Sequence, residues 1–124
     1  MRTKKKIMIV DDNDDVVTTY RVVLERMGYG VVAAHDGREC LEGIAEIKPD
    51  LVLLDVRLPG LSGTEVCRSI KETAQTKDIP VVAITASMSG ETRNRMAEVG
   101  ADDFLLKPLD VSDLNRVVKR FLGV

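Results

Sequence analysis

At 124 residues the chain is about one domain long, and with 44% hydrophobic and 31% charged residues it can bury a core and stay in solution. A net charge of −2 argues against a general nucleic-acid or anionic-membrane binder, because both usually carry a basic excess. Aromatic residues make up only 3%, with no Trp, which leaves little material for a base-stacking surface.

Cys40 and Cys67 lie far apart, with no C-x-x-C pair and one His in the whole chain. Both are read as small apolar core residues, not as a disulfide or zinc site. The apolar run Ile7 to Val10 is too short for a signal peptide or a membrane span, so a cytoplasmic location is expected. Lys4-Lys5-Lys6 reads as a solvated charge run.

Strand and helix patterns then alternate from end to end, without repeat, low-complexity segment or linker. Ile7-Met8-Ile9-Val10 is a strand closed by Asp11-Asp12. Val16, Tyr20, Val23, Leu24 and Met27 fall at helical spacing, and Gly28 closes that helix. Gly30 to Ala34 is the second strand. Asp36-Gly37-Arg38-Glu39 has capping-box spacing and opens a helix carrying Cys40, Leu41, Ile44 and Ile47. Leu51-Val52-Leu53-Leu54 is an unbroken apolar run ending at Asp55, with turn residues on both sides. A run of this kind reads as a strand buried on both faces, the signature of a parallel sheet covered by helices.

Ser62-Gly63-Thr64-Glu65 is an S-x-x-E capping box opening a helix with Val66, Cys67 and Ile70 inward. Val81-Val82-Ala83-Ile84 follows Pro80 and ends at Thr85. Ser89 caps a helix through about Val99, closed by Gly100. Its only large apolar residues are Met96 and Val99, with Met88 just ahead, so it is expected to be weakly held and free to shift. Phe104-Leu105-Leu106 is the fifth strand, ending at Lys107-Pro108, and Asp110 caps a last helix bearing Leu114, Val117, Val118 and Phe121.

Five β-α repeats with right-handed crossovers make an α/β fold with a parallel sheet and helices on both faces. A TIM barrel is excluded on length. In such sheets ligand chemistry collects beyond the carboxyl ends of the strands. Asp11-Asp12, Asp55, Thr85 and Lys107 end strands one, three, four and five, and so face one edge. Each has a plainer use: Asp55 as a cap or turn residue, Asp11-Asp12 as helix-dipole partners, Thr85 as a strand former, Lys107 as a surface lysine. Their convergence is the specific signal. Like charges ~4 Å apart cost roughly 4 kcal/mol per pair at an effective dielectric near 20. Lys107 or a divalent cation must offset this. An oxygen-only, incomplete ligand set suits Mg²⁺ better than Ca²⁺. Asp11-Asp12-Asn13-Asp14-Asp15 lacks the spacing of an EF-hand loop.

The sequence resembles the receiver domain of bacterial two-component response regulators. The likeness covers essentially residues 1–124 and rests on Val10-Asp11-Asp12, Leu54-Asp55-Val56-Arg57-Leu58-Pro59-Gly60-Leu61-Ser62-Gly63, Ile84-Thr85-Ala86 and Leu106-Lys107-Pro108. It implies a flavodoxin-like αβα sandwich with strand order 2-1-3-4-5, one of the two common orders of doubly wound sheets.

The resemblance also implies roles. Asp55 corresponds to the nucleophile that takes a phosphoryl group from a histidine kinase or phosphotransfer protein. Asp12 corresponds to a direct Mg²⁺ ligand, Asp11 to a carboxylate acting through water, and the Arg57 backbone carbonyl to a further ligand. Lys107 is expected to pair with phosphoryl oxygens and Thr85 to move toward them. Phe104 stands at a switch position often held by Tyr or Phe; as Phe it has no hydroxyl to donate. Arg57 and Ser87 stand where the family tunes phosphoryl lifetime. Lys107-Pro108 is expected to be a cis peptide.

The implied partners are a sensor kinase or phosphotransfer protein and a downstream protein or output domain. Direct nucleic-acid or membrane contact is not implied. The protein is expected to be a monomer or a phosphorylation-dependent dimer, and either a stand-alone regulator or the receiver of a longer protein.

Two other functions fit the residues less well. An Asp-nucleophile phosphatase of the haloacid dehalogenase type needs D-x-D, the second Asp acting as general acid. Arg57 occupies that place and cannot donate a proton near neutrality. A flavin or nucleotide carrier needs a Gly-rich phosphate loop after the first strand, where Asp11-Asp12 would repel phosphate. No turnover chemistry beyond the chain's own phosphorylation and dephosphorylation is therefore expected.

Overall fold

The structure, a computed structural model, describes residues 4–87 and 89–123; Met88 lies outside the described residues. In chain order the elements are β1 (Lys6–Val10), α1 (Asp14–Arg26), β2 (Gly30–Ala34), α2 (Gly37–Ile47), β3 (Leu51–Asp55), α3 (Gly63–Glu72), β4 (Val81–Thr85), α4 (Gly90–Glu98), β5 (Asp103–Leu106) and α5 (Val111–Leu122). The strands form one sheet in the order β2-β1-β3-β4-β5, and every pair is parallel. This is the expected flavodoxin-like order.

All five residues of β3 are buried, as are all five of β4. Their near-continuous apolar sequence is what burial on both faces requires. One face packs Ile7, Ile9, Leu51, Leu53, Val82, Ile84 and Leu105 against α1 and α5. The other packs Met8, Val10, Val52, Leu54, Val81 and Ala83 against α2, α3 and α4. Alternation along each strand sends successive side chains to opposite layers. Cys40 and Cys67 are buried free thiols in the second layer. Burial pushes their pKa up to about 12 and about 11, so they behave as the small apolar residues expected.

The buried stripe of α1 is Val17, Tyr20 and Leu24, with Val16 only half-buried. Tyr20 and Leu24 are buried as their helical spacing predicts, Val16, Val23 and Met27 pack partly buried against the same layer, and Val17 joins them. Asn13 caps this helix, its side-chain oxygen accepting from the N–H groups of Asp15 and Val16 at 3.0 and 3.1 Å. Ser62 and Glu65 form the full capping box of α3, and Asp110 and Asp113 form another at α5. At α2 only half of the box forms. Asp36 accepts from the Glu39 N–H at 2.8 Å, while the Glu39 carboxylate turns to His35, 3.4 Å away. His35 also faces Asp14 at 3.2 Å, so it is a surface residue bridging the starts of α1 and α2.

The helix α4 has the narrow apolar face its sequence predicts. It buries Met96 alone, with its C-cap residue Val99 buried just beyond.

Candidate functional site

β1, β3 and β5 are neighbours or near neighbours in the sheet, and their carboxyl ends bring three strand-end groups together. Asp11 and Asp55 are buried and Asp12 is exposed. One carboxylate oxygen from each lies within 4.8 Å of the other two. Lys107 closes the cluster. Its Nζ donates to Asp55 Oδ2 at 3.0 Å and to Asp11 Oδ2 at 3.2 Å.

Backbone groups hold the remaining carboxylate oxygens. The Arg57 N–H donates to Asp55 Oδ1 at 2.9 Å, and the Asn13 N–H donates to Asp11 Oδ1 at 2.9 Å. Asp55 therefore does make the turn-type bond that its sequence position allows. Asp11 and Asp12 are freed from capping α1, because Asn13 does that work. Asn13 is absent from the sequence-derived site, although an Asn directly ahead of an acidic first turn is a start signal for a helix.

Burial disfavours charge on both sides of the Lys107 pair, with opposite outcomes. It raises the Asp55 carboxyl above the usual range, helped by Asp11 and opposed incompletely by Lys107 and the Arg57 N–H. Burial also acts to lower the Lys107 ammonium, but two carboxylates outweigh it and the net direction is up. Two buried anions around one cation leave the cluster under-neutralised. Oxygen-only donors, with one carboxylate open to solvent, are a fitting set for a hard divalent cation.

Thr85 ends β4 beside Lys107, whose N–H donates to the Thr85 carbonyl at 2.8 Å. The Thr85 hydroxyl is engaged by Ser87. It donates to the Ser87 carbonyl at 2.9 Å and accepts from the Ser87 N–H at 3.2 Å. Arg57 and Ser87 are exposed at the rim. Phe104 is not in the cluster; it lies half-buried against the α4 layer, with the Arg93 guanidinium 5.3 Å from its ring centre. Lys107-Pro108 is a cis peptide, as expected. Tyr20, by its spacing simply a core residue, also lies in the field of the site. Burial pushes its phenol up, and that group feels Lys107, Asp11, Asp55 and Asp113.

An acid cluster closed by a lysine thus stands at the carboxyl edge of a 2-1-3-4-5 parallel sheet. The chain belongs to the response regulator receiver domain family, whose model matches residues 7–119. It is 41% identical over 118 residues to the alkaline phosphatase synthesis transcriptional regulatory protein PhoP of Bacillus subtilis, covering 95% of this chain and 48% of PhoP. It is 34% identical to the polar-differentiation response regulator DivK of Brucella anthropi, covering 96% of this chain and 97% of DivK. The chain thus spans about half of one curated relative and nearly all of another.

Among solved structures, the Vibrio cholerae chemotaxis protein CheY4 superposes with a TM-score of 0.91 at 28% identity, covering 96% of this chain and 99% of CheY4. The receiver domain of the Pseudomonas aeruginosa sensor histidine kinase PA1611, solved with magnesium in its active site cleft, gives 0.90 at 29% identity, covering 98% of this chain and all of that one (100%). The phosphatase alternative finds no support: the chain falls in the receiver family, and the place of the second Asp is held by exposed Arg57.

Proposed function

We propose that Asp55 is the phosphoacceptor of this receiver domain, taking a phosphoryl group from a histidine kinase or phosphotransfer protein and storing it as a signal. The observation that carries this is the pair of bonds on its carboxylate, Lys107 on Oδ2 and the Arg57 N–H on Oδ1. They fix the plane of a buried carboxylate at the sheet edge, with a cation beside it. Phosphoryl transfer is mainly positioning and charge neutralisation, so this is the assistance it needs.

A carboxylate oxygen of Asp55 attacks phosphorus in line. The Asp55 O–P bond forms, the bond from phosphorus to the donor breaks, and the donor leaves with its electron pair. The Lys107 ammonium, already between Asp11 and Asp55, turns to the phosphoryl oxygens. Asp11, Asp12, Asp55 and the Arg57 carbonyl would hold Mg²⁺, which when bound supplies charge neutralisation for those oxygens. Thr85 exchanges its bond to the Ser87 carbonyl for one to the phosphoryl group. Phe104 then turns inward, and the face made by α4, β5 and α5 changes shape for a downstream partner. Arg57 and Ser87, exposed at the rim, govern access of the water that hydrolyses the acyl phosphate.

With Arg57 two residues beyond Asp55, that position cannot supply the general acid that turnover of an external phosphoester needs. The chain's chemistry is confined to gaining and losing its own phosphoryl group. A cytoplasmic location, protein partners in place of nucleic acid or membrane, and a monomer or phosphorylation-dependent dimer complete this reading. No helix among the described residues is long and apolar enough to cross a membrane.

Incubation with acetyl phosphate and Mg²⁺, followed by intact mass measurement, tests it. One phosphoryl adduct is expected, blocked by a chelator and absent in Asp55→Asn. An undiminished adduct in Asp55→Asn would remove Asp55 from the role.

A further inference from the structure

α4 is held by little. It buries Met96 alone among its residues, whereas α3 buries Val66, Cys67 and Ile70, and α5 buries Leu114, Val117 and Val118. The Met96 sulfur accepts from the Thr64 hydroxyl at 3.3 Å. Between α4 and the start of α3 lies a cavity of about 220 Å³, lined by Val56, Thr64, Glu91, Thr92 and Arg95. The helix therefore has open space on the side facing Val56 and Thr64, and its apolar anchorage is slight.

α4 is also tied to β5, through Arg93 and Phe104. The guanidinium carbon lies 5.3 Å from the ring centre. Neighbouring arginines are committed to carboxylates: Arg95 to Glu91 at 3.0 Å, and Arg116 and Arg120 to Asp103 at 3.1 and 2.8 Å. Arg93 forms no such ion pair among the described residues, and the ring is the partner it has. A cation over an aromatic face is attracted by the ring quadrupole.

We propose that Arg93 is a latch that keeps Phe104 in its half-buried position and so sets how readily the phosphorylated conformation is reached. The latch rests on reading Asp55 as the phosphoacceptor. For Phe104 to turn inward, its ring must leave the guanidinium, and α4 and β5 lose that tie together. The Thr85 hydroxyl, bonded to Ser87 in this state, is the element on the phosphoryl side of the same equilibrium. Whatever weakens the Arg93 contact raises the population of the competent state and, by linkage, the affinity for a phosphoryl group or its mimic. Exposed contacts of this kind are modest, so the expected effect is about two- to fivefold in affinity.

Arg93 lies outside the buried core, so Arg93→Ala leaves that core intact. The probe is beryllofluoride with Mg²⁺, titrated against protein carrying 4-fluorophenylalanine. The chain has two Phe residues, Phe104 and Phe121, so fluorine NMR gives two signals, assigned with Phe104→Leu. Arg93→Ala is expected to bind beryllofluoride about two- to fivefold tighter, and its free-state Phe104 signal moves toward the bound position. In the Phe104→Leu background Arg93→Ala should change nothing. Equal affinity and an unmoved Phe104 signal overturn the latch and leave the phosphoacceptor reading standing. A wild-type protein that does not bind the mimic at all overturns both.

Discussion

The Lys107 ammonium sits 3.0 Å from Asp55 Oδ2 across 52 residues of sequence, and reaches Asp11 Oδ2 at 3.2 Å as well. Standing between two buried carboxylates gives it a structural role. Removing one partner from such a pair strands charge that burial then penalises. Lys107→Met should therefore destabilise the metal-free protein by roughly 1–2 kcal/mol at pH 7, below the range for fully buried pairs because the Lys107 side chain is 25% exposed. The loss should shrink as pH falls and Asp55, whose carboxyl burial already pushes up, takes up its proton. Thermal melts of wild type and Lys107→Met between pH 4 and 8 check this; a loss that grows on acidification would contradict it.

Asp55 gives a second pH signature of definite sign. Its folded-state pKa is raised, mainly by burial, so folding favours the protonated form. The stability this confers is present below the unfolded pKa and is lost as pH rises through the folded one. At neutral pH the ionised carboxylate is thus a cost to the metal-free fold. Asp55→Asn should melt a few degrees higher than wild type at pH 7, the size that about 1 kcal/mol produces in a domain of this length. The gap should close toward pH 3. A variant melting lower than wild type at pH 7 would show that the Lys107 pairing outweighs burial.

Asp12 contributes a different prediction, because it is exposed while Asp11 and Asp55 are buried. Its carboxylate costs little to remove without a cation and matters once one is present. A ligand that binds only the folded state stabilises it by mass action, about 2.7 kcal/mol at a hundred times its Kd. Titrating MgCl₂ should raise the Tm of wild type by several degrees and leave Asp12→Asn nearly flat, with the two alike in chelator. Parallel curves would take Asp12 out of the metal site.

Gly63 opens α3 against the strand that carries Asp55. A Cβ there would stand 2.6 Å from the Asp55 carbonyl oxygen and 2.6 Å from the Val56 Cα, both backbone atoms. No side-chain rotation can relieve that contact. Gly63→Ala should cost roughly 1–3 kcal/mol, the range for overpacking. It should also slow labelling of Asp55 at saturating acetyl phosphate, because the loop bearing Arg57 is displaced. Denaturant melts and a labelling time course read the two effects; normal labelling in a destabilised protein would separate the helix packing from the site.

The strand ends were legible in sequence because the apolar runs of β1, β3, β4 and β5 stop at chemically distinct residues, and a parallel sheet turns those stops into neighbours. The weak fourth helix was legible too, since Met96 and Val99 are its only large apolar groups among the described residues. What escaped is long-range side-chain pairing. Lys71 ties α3 to the amino ends of β4 and β5, donating to the Ile79 carbonyl and to Asp102 Oδ2, both at 2.8 Å, and Asp102 accepts from the Val81 N–H. Buried Thr76 closes α3, its hydroxyl donating to the Ile70 carbonyl at 2.7 Å. Residues of these types in a loop look solvated until the fold supplies partners. The bond from the Thr85 hydroxyl to the Ser87 carbonyl was likewise invisible, because a strand pattern fixes which face a residue is on but not its rotamer.

One carboxylate among three is held to store the phosphoryl group, and chemical trapping can show which. Borohydride reduces an aspartyl phosphate to homoserine, which marks the residue permanently. Protein labelled with acetyl phosphate and Mg²⁺, reduced and then mapped by peptide mass spectrometry, should carry homoserine at position 55 and retain Asp at positions 11 and 12. Homoserine at position 11 or 12, or an unmodified position 55 in protein that has gained a phosphoryl group, would contradict the account.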